Sequence, residues 1–160
     1  MQQAQPPAPA PAKPKPPVIP PMVDSQYGSA AQIMALPQAK LVAILKDAGA
    51  SVYAKAKACQ RLAVVGDKNA VFAIAPLLAN PHLSHYARTA LEPNPDASAS
   101  AALRAALGEV KGNLLIGIIN SLGVRRDQAA IAPLAALLPG QDPAVSQAAS
   151  AALARIRPPL

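Results

Sequence analysis

Side chains able to do chemistry gather at one place in this chain. The stretch SHYARTALEPNPD, Ser84–Asp96, holds His85, Tyr86, Arg88, Thr89, Glu92 and Asp96 within 13 residues. An imidazole near a carboxylate suits general acid–base work. His82, His85 and Glu92 would make a thin ligand set for zinc. Spacing argues against both. No nucleophile accompanies His85, and His82 stands at a helix start beside Pro81. No catalytic residue, metal site or cofactor is therefore assigned. With Leu91 at the centre of a buried face and about 100° per residue, Ala87 points inward, Arg88 lies about 60° off at the core margin, and His85 and Glu92 lie about 100–120° round. Arg88 and Glu92 are spaced to pair on one helix edge. EPNPD reads as a stiff turn: Pro93 stops a helix, Pro95 keeps the chain extended and Asp96 caps the next helix. The cluster is thus mainly a joint whose arginine bonds a neighbouring loop. A binding patch is the second reading.

A second basic group is Arg125-Arg126-Asp127 in GVRRD. Two adjacent guanidiniums near a helix start can hold a phosphate or carboxylate. The preferred reading is structural, with one arginine pairing with Asp127 or Glu92 to lock adjacent turns. Gly66 and Gly123 read as helix C-caps. GNLLIGIIN lacks phosphate-loop spacing and reads as a central helix buried almost all round, with Gly117 permitting a close approach. Cys59, the sole cysteine, falls in the repeat column of Arg88 and Ile119 and reads as an inert thiol at the core margin.

The elements that carry these residues are helical. The 160-residue chain has one Phe, three Tyr and no Trp, so Ala and Leu must build the core. Such a core suits closely packed helices, because Ala is the best helix former. Leu41/Leu45, Ile74/Leu78, Leu103/Leu107 and Leu134/Leu138 form one series of i,i+4 pairs, and Ala58/Leu62, Ala87/Leu91, Ile118/Leu122 and Ala149/Leu153 form another. Leucines of the second series are 29, 31 and 31 residues apart. Two apolar pairs in every 30 or so residues mean a repeated helical hairpin. Asp67, Asp96 and Asp127, at intervals of 29 and 31, each precede a first helix, where aspartate caps free N–H groups. Asn80-Pro81 and Asp142-Pro143 announce second helices. AIAPL occurs at 73–77 and 130–134, an offset of 57, but the aspartates and paired leucines set the register. First helices are expected near 38–47, 68–79, 97–107 and 128–138, second helices near 51–65, 82–91, 112–123 and 144–156. A short helix near Ser29–Leu36 precedes them.

Residues 1–23, MQQAQPPAPAPAKPKPPVIPPMV, are low in complexity and favour an extended polyproline arm or tether. Residues 24–160 form the helical repeat domain. The net charge is +7, from 15 bases and 8 acids; from Pro37 onward 13 bases and 7 acids leave +6. That balance mildly favours an anionic partner. Nucleic acid is disfavoured, because the bases are scattered and aromatics are scarce. The longest apolar run, LLIGII, is far below the roughly 18 residues of a membrane span. An Ala/Pro/Gln arm straight after Met1 fits the mature start of an exported, periplasmic protein; a cytoplasmic place is the alternative.

The aspartate caps, the AxxxL second helices and the LLANP and LLPGQDP turns resemble HEAT repeats, of the HEAT-like kind common in bacteria. The resemblance covers Pro37 to Ile156. LSHYARTALEPNPD and LLIGIINSLGVRRD further resemble HEAT segments of large multidomain bacterial proteins. EPNPD and GVRRD depart from that family's short Gly-Asp turn. The resemblance implies an all-α, right-handed α-solenoid of about four hairpins used for protein interaction. Some HEAT-like relatives act as chromophore lyases or bind DNA, so fold alone does not set function. The expected function is a non-enzymatic module that holds a protein or peptide on its concave face. Tyr53, Lys57, Gln60, His85, Tyr86, Thr89, Asn120 and Arg155 would line that face, with Arg88, Glu92, Arg125, Arg126 and Asp127 structural or anion-binding. The alternatives are an accessory domain of a larger enzyme or a chromophore-lyase-like protein, and then nucleic-acid binding through the basic surface. The abrupt RPPL ending suits a piece of a longer chain.

Removal of residues 1–23 should leave folding intact, because the arm has no apolar periodicity. Differential scanning calorimetry checks this, and a melting temperature many degrees lower would show that the arm packs on the helices.

Overall fold

The computed structural model describes residues 22–157. The chain is mostly helical. Its only strands among these residues are β1 (Val23–Asp24) and β2 (Gly28–Ser29), a small antiparallel hairpin. Nine α-helices follow among the described residues: α1 (Ala30–Met34), α2 (Gln38–Lys46), α3 (Val52–Val65), α4 (Lys68–Ile74), α5 (Ser84–Leu91), α6 (Ala97–Ala106), α7 (Gly112–Arg125), α8 (Ile131–Ala135) and α9 (Pro143–Ile156).

Polar caps start several of the helices, and four aspartates cap where their spacing placed them. Ser29 and Gln32 form a reciprocal capping box at α1. Ser51 caps α3, Asp67 caps α4, Asp96 caps α6 and Asp142 caps α9, each accepting from a first-turn N–H group. Asp127 does the same for a 3-10 turn, Gln128–Ala130, that leads into α8.

Packing follows chain order. Helix α2 packs on α3 and α4, and α4 packs on α6. The longer second helices also pack in succession, α3 on α5, α5 on α7 and α7 on α9, while α1 covers the outer side of α3. Leu62, Leu91 and Leu122, one per second helix, are wholly buried, as are Leu41, Ile74, Leu103 and Leu134 from the first helices. Small residues set the closeness of approach. A Cβ on Gly123 would lie 3.0 Å from the Ala152 backbone, so α7 and α9 touch nearly backbone to backbone there.

Several expectations need correction. Gly123 is not a C-cap: α7 runs on to Arg125, and Arg126, in a left-handed conformation with φ 52°, ends it. Gly66 does cap α3, in extended rather than left-handed backbone. Asn80 caps a turn, its side chain accepting from His82 and Leu83, and α5 opens only at Ser84. The second and fourth first-layer helices are shorter than periodicity suggests. Pro76 has no N–H to extend α4, and Ala75–Ala79 tightens into 3-10 helix. After Ala135 the chain turns, and Leu138 is 42% exposed instead of buried beside Leu134. In α9, Ala152 and Ile156 fill the core, and Leu153 is only half-buried. Val23, placed in the arm by composition, pairs in β1, and Tyr53 donates to the Met22 carbonyl at 2.9 Å, so the folded part already includes residues 22 and 23, and the truncation expected to leave folding intact stops at residue 21. Residues 1–21 of the expected polyproline arm, and the PPL of the ending, lie outside the described residues.

Leu91→Ala and Leu122→Ala should each lower stability by about 2–5 kcal/mol, the cost of a cavity at a closed site. Urea denaturation followed by circular dichroism measures it; wild-type midpoints in both variants would refute the register.

Candidate binding face

The charged side chains divide by position. All eight acids lie outside the α-helices, in strand, turn or cap positions. Most are occupied there. Asp67, Asp96, Asp127 and Asp142 cap, Asp24 accepts from the Ser51 hydroxyl and from two backbone N–H groups, and Asp47 accepts from the Tyr27 hydroxyl at 2.5 Å. Those bonds hold the Asp24 and Asp47 carboxyls below their usual pKa range. The second helices α3, α5, α7 and α9 contain Lys55, Lys57, Arg61, Arg88, Arg125 and Arg155 but no acid.

The cluster that opened the sequence reading is a joint, though not the one expected. Arg88 does not bond a loop. Its guanidinium lies across α7, with Nη1 donating to the Gly117 carbonyl and to Ser121 Oγ, both at 3.2 Å. The absent side chain of Gly117 makes this possible: a Cβ there would stand 2.7 Å from Arg88 Nε. Ser121 in turn donates to Glu92 at 2.7 Å, and Glu92 reaches Arg88 at 4.0 Å, the limit of an ion pair. Burial lowers the pKa of Arg88, against the opposing charge of Glu92. The interface between α5 and α7 is therefore polar, whereas the one between α7 and α9 is built from Gly123 and Ala152.

Arg125 completes the joint. Its Nη1 donates to the carbonyls of Leu91, Glu92 and Asn94 at 2.6, 2.9 and 2.6 Å, and its Nε donates to Ser100. It thus holds EPNPD through backbone carbonyls, not through the expected carboxylates. Asp127 pairs with Arg104 of α6 instead. Arg126 is exposed and takes no part. Buried Asn94 ties the same loop back to the Gly66 carbonyl at 3.2 Å. Neither Asn94 nor Ser121 was singled out in the sequence. The signal for Ser121 was a hydroxyl one turn after Gly117, on the same face of α7.

The residues expected on the binding face are placed as follows. Gln60, His85 and Arg155 are exposed, and Tyr53, Lys57, Tyr86, Thr89 and Asn120 are half-buried. Lys57 sits 5.6 Å over the Tyr53 ring and donates to Gln60, so those three form one group. The rings of His85 and Tyr86 meet edge-on at 5.4 Å, and Thr89 donates to the Tyr86 carbonyl. Phe72 of α4, passed over in the sequence, is 62% exposed beside Pro76 and Ala105. Its phase, one residue past buried Val71, was the available signal. Cys59 is wholly buried, and burial pushes its thiol up to about 12. Among the described residues no three His, Cys, Asp or Glu side chains converge on a metal position, and no helix is long and apolar enough to cross a membrane. Compared with known protein families and with curated proteins, the sequence matches none.

Arg88→Ala should lower the melting temperature by several degrees, because it strips the α5–α7 seam of its donor. His85→Ala, on the exposed edge, should leave it within about a degree; thermal melts of the two variants test the contrast. Cys59 should stay unreactive toward a thiol reagent at pH 8 in the native protein and react fully in guanidinium, since a protonated buried thiol is a poor nucleophile.

Proposed function

We propose that this chain is a non-enzymatic protein-interaction module: a short HEAT-like, right-handed α-solenoid whose second helices form the concave, partner-binding face. The observation that carries the reading is the contrast between its two layers. Outward positions of the first helices are largely Ala and Pro, such as Ala43, Pro76, Ala101, Ala105, Ala132 and Pro133, all exposed. The second helices carry aromatic and polar groups in successive units, Tyr53, Lys57 and Gln60, then His85, Tyr86 and Thr89, then Asn120, then Arg155, whereas the exposed bulky groups of the first helices, Lys40, Lys46, Lys68 and Phe72, are confined to α2 and α4. Tyrosines among polar neighbours provide large contact area at low entropic cost and are common anchors in interfaces. The order in which the second helices pack also supports the reading, because stacked repeats present one residue column per unit.

Tyr86→Ala and Gln60→Ala should weaken capture of the natural partner at least tenfold while melting stays near wild type. Ala101→Ser, on the first layer, should change neither. Chemical-shift mapping with a bound partner peptide gives the direct test. Shifts confined to the first-layer helices would refute the reading.

A further inference from the structure

We infer that Arg88 is a carboxylate-recognition point on this face, and that the partner it takes is a peptide segment bearing spaced Asp or Glu side chains. This rests on the second helices being the binding surface. Arg88 uses only Nη1 inside the fold. Among the described residues its Nε and Nη2 donate to no protein acceptor, and neither is an unsatisfied buried atom. Those two N–H groups form one edge of the guanidinium, the parallel pair that grips both oxygens of a carboxylate.

The group is already fixed for that task. Its side chain is 18% exposed, it lies flat over Gly117, and its Nη1 bonds hold it there. Little rotamer entropy is left to lose on binding. Partial burial also strengthens a charge-assisted bond, because less water competes. The one nearby acid does not fill the edge: Glu92 is occupied by Ser121 and approaches Nη1, not Nε. Charge on the surrounding elements agrees, since α3, α5, α7 and α9 carry bases and no acid.

Spacing favours a peptide over nucleic acid. A DNA strand carries a phosphate about every 3.4 Å. Packed helices stand about 8–10 Å apart, and the bases of the second helices outside the Arg125 joint come from separate helices, Lys55, Lys57 and Arg61 from α3, Arg88 from α5 and Arg155 from α9. Neutral groups, Gln60, Thr89 and Asn120, lie between them. A segment with a carboxylate every few residues fits that pattern better than a continuous polyanion.

The test uses the full chain and a fluorescein-labelled peptide with Glu at every third position, alongside its Gln counterpart and a single-stranded oligonucleotide. Fluorescence anisotropy should show saturable binding of the Glu peptide only. Arg88→Lys keeps the charge but loses the paired edge, and should weaken binding at least tenfold; Lys111→Gln removes a charge at the start of α7 and should change it less than twofold. Equal binding by wild type and Arg88→Lys would overturn the proposal, as would equal losses in the two variants or preferential, steeply salt-dependent binding of the oligonucleotide. Should Arg88→Lys fail to fold, the Arg88 Nε–H resonance of the wild type decides: it should move on adding the Glu peptide, and a stationary signal overturns the proposal. If that signal stays still while a natural partner peptide shifts Tyr86 and Asn120, the acidic preference falls and the face stands. If the partner shifts neither, both fall.

Discussion

The middle of the molecule depends on two arginines. Arg88 reaches forward from α5 onto α7, and Arg125 reaches back from α7 onto the loop that leaves α5. Between them they satisfy the carbonyls of Leu91, Glu92, Asn94 and Gly117. The Gly117 and Leu91 carbonyls have further donors in Ser121 Oγ and the Asn94 N–H, but those of Glu92 and Asn94 lean on Arg125, and a buried carbonyl left unpaired costs about 1–3 kcal/mol. The helices before this seam meet those after it through α5 on α7, α4 on α6, and the Ala75–Ala79 turn on α6 and α7. Hydrogen bonds from the two arginines add direction to that packing, whereas α7 meets α9 through small residues such as Gly123 and Ala152.

That difference explains what could be read in advance. Aspartate caps are local: Asp67, Asp96 and Asp142 accept from N–H groups two or three residues on. A spacing rule finds them, and their period outranked the repeated AIAPL. Leu62, Leu91 and Leu122 were legible because burial repeats with the helix turn. The partner of Arg88 was not legible, since Gly117 and Ser121 lie 29 and 33 residues away and neither residue type announces a guanidinium site. Gly123 misled for a related reason. Glycine near the end of an apolar run fits a cap equally well as a close helix crossing, and only the position of Ala152 separates the two.

Candidate site residues were legible as phases, not as relations. A helical wheel places Tyr53, His85 and Asn120 outward. It does not show that Lys57 covers Tyr53, or that the Tyr53 hydroxyl is engaged by Met22. Met22, assigned to a detached tether by composition alone, thus lies beside one end of the proposed face.

The confinement of every acid to strand, turn and cap positions has a consequence for behaviour in acid. In most proteins carboxylates on helix surfaces tune charge, and others start helices. Here the same few groups do both. Hydrogen bonding lowers the pKa of Asp24, Asp47, Asp67 and Asp96, so their contribution is present above the ordinary aspartate value near 3.8 and fades as pH falls through the lower folded-state values. Each proton taken up there loosens a helix start or a hairpin and also adds to an existing charge of +7. Loss of end-anchoring and mutual repulsion then act in the same direction, which makes acid a sharper denaturant for this chain than its burial pattern alone would suggest.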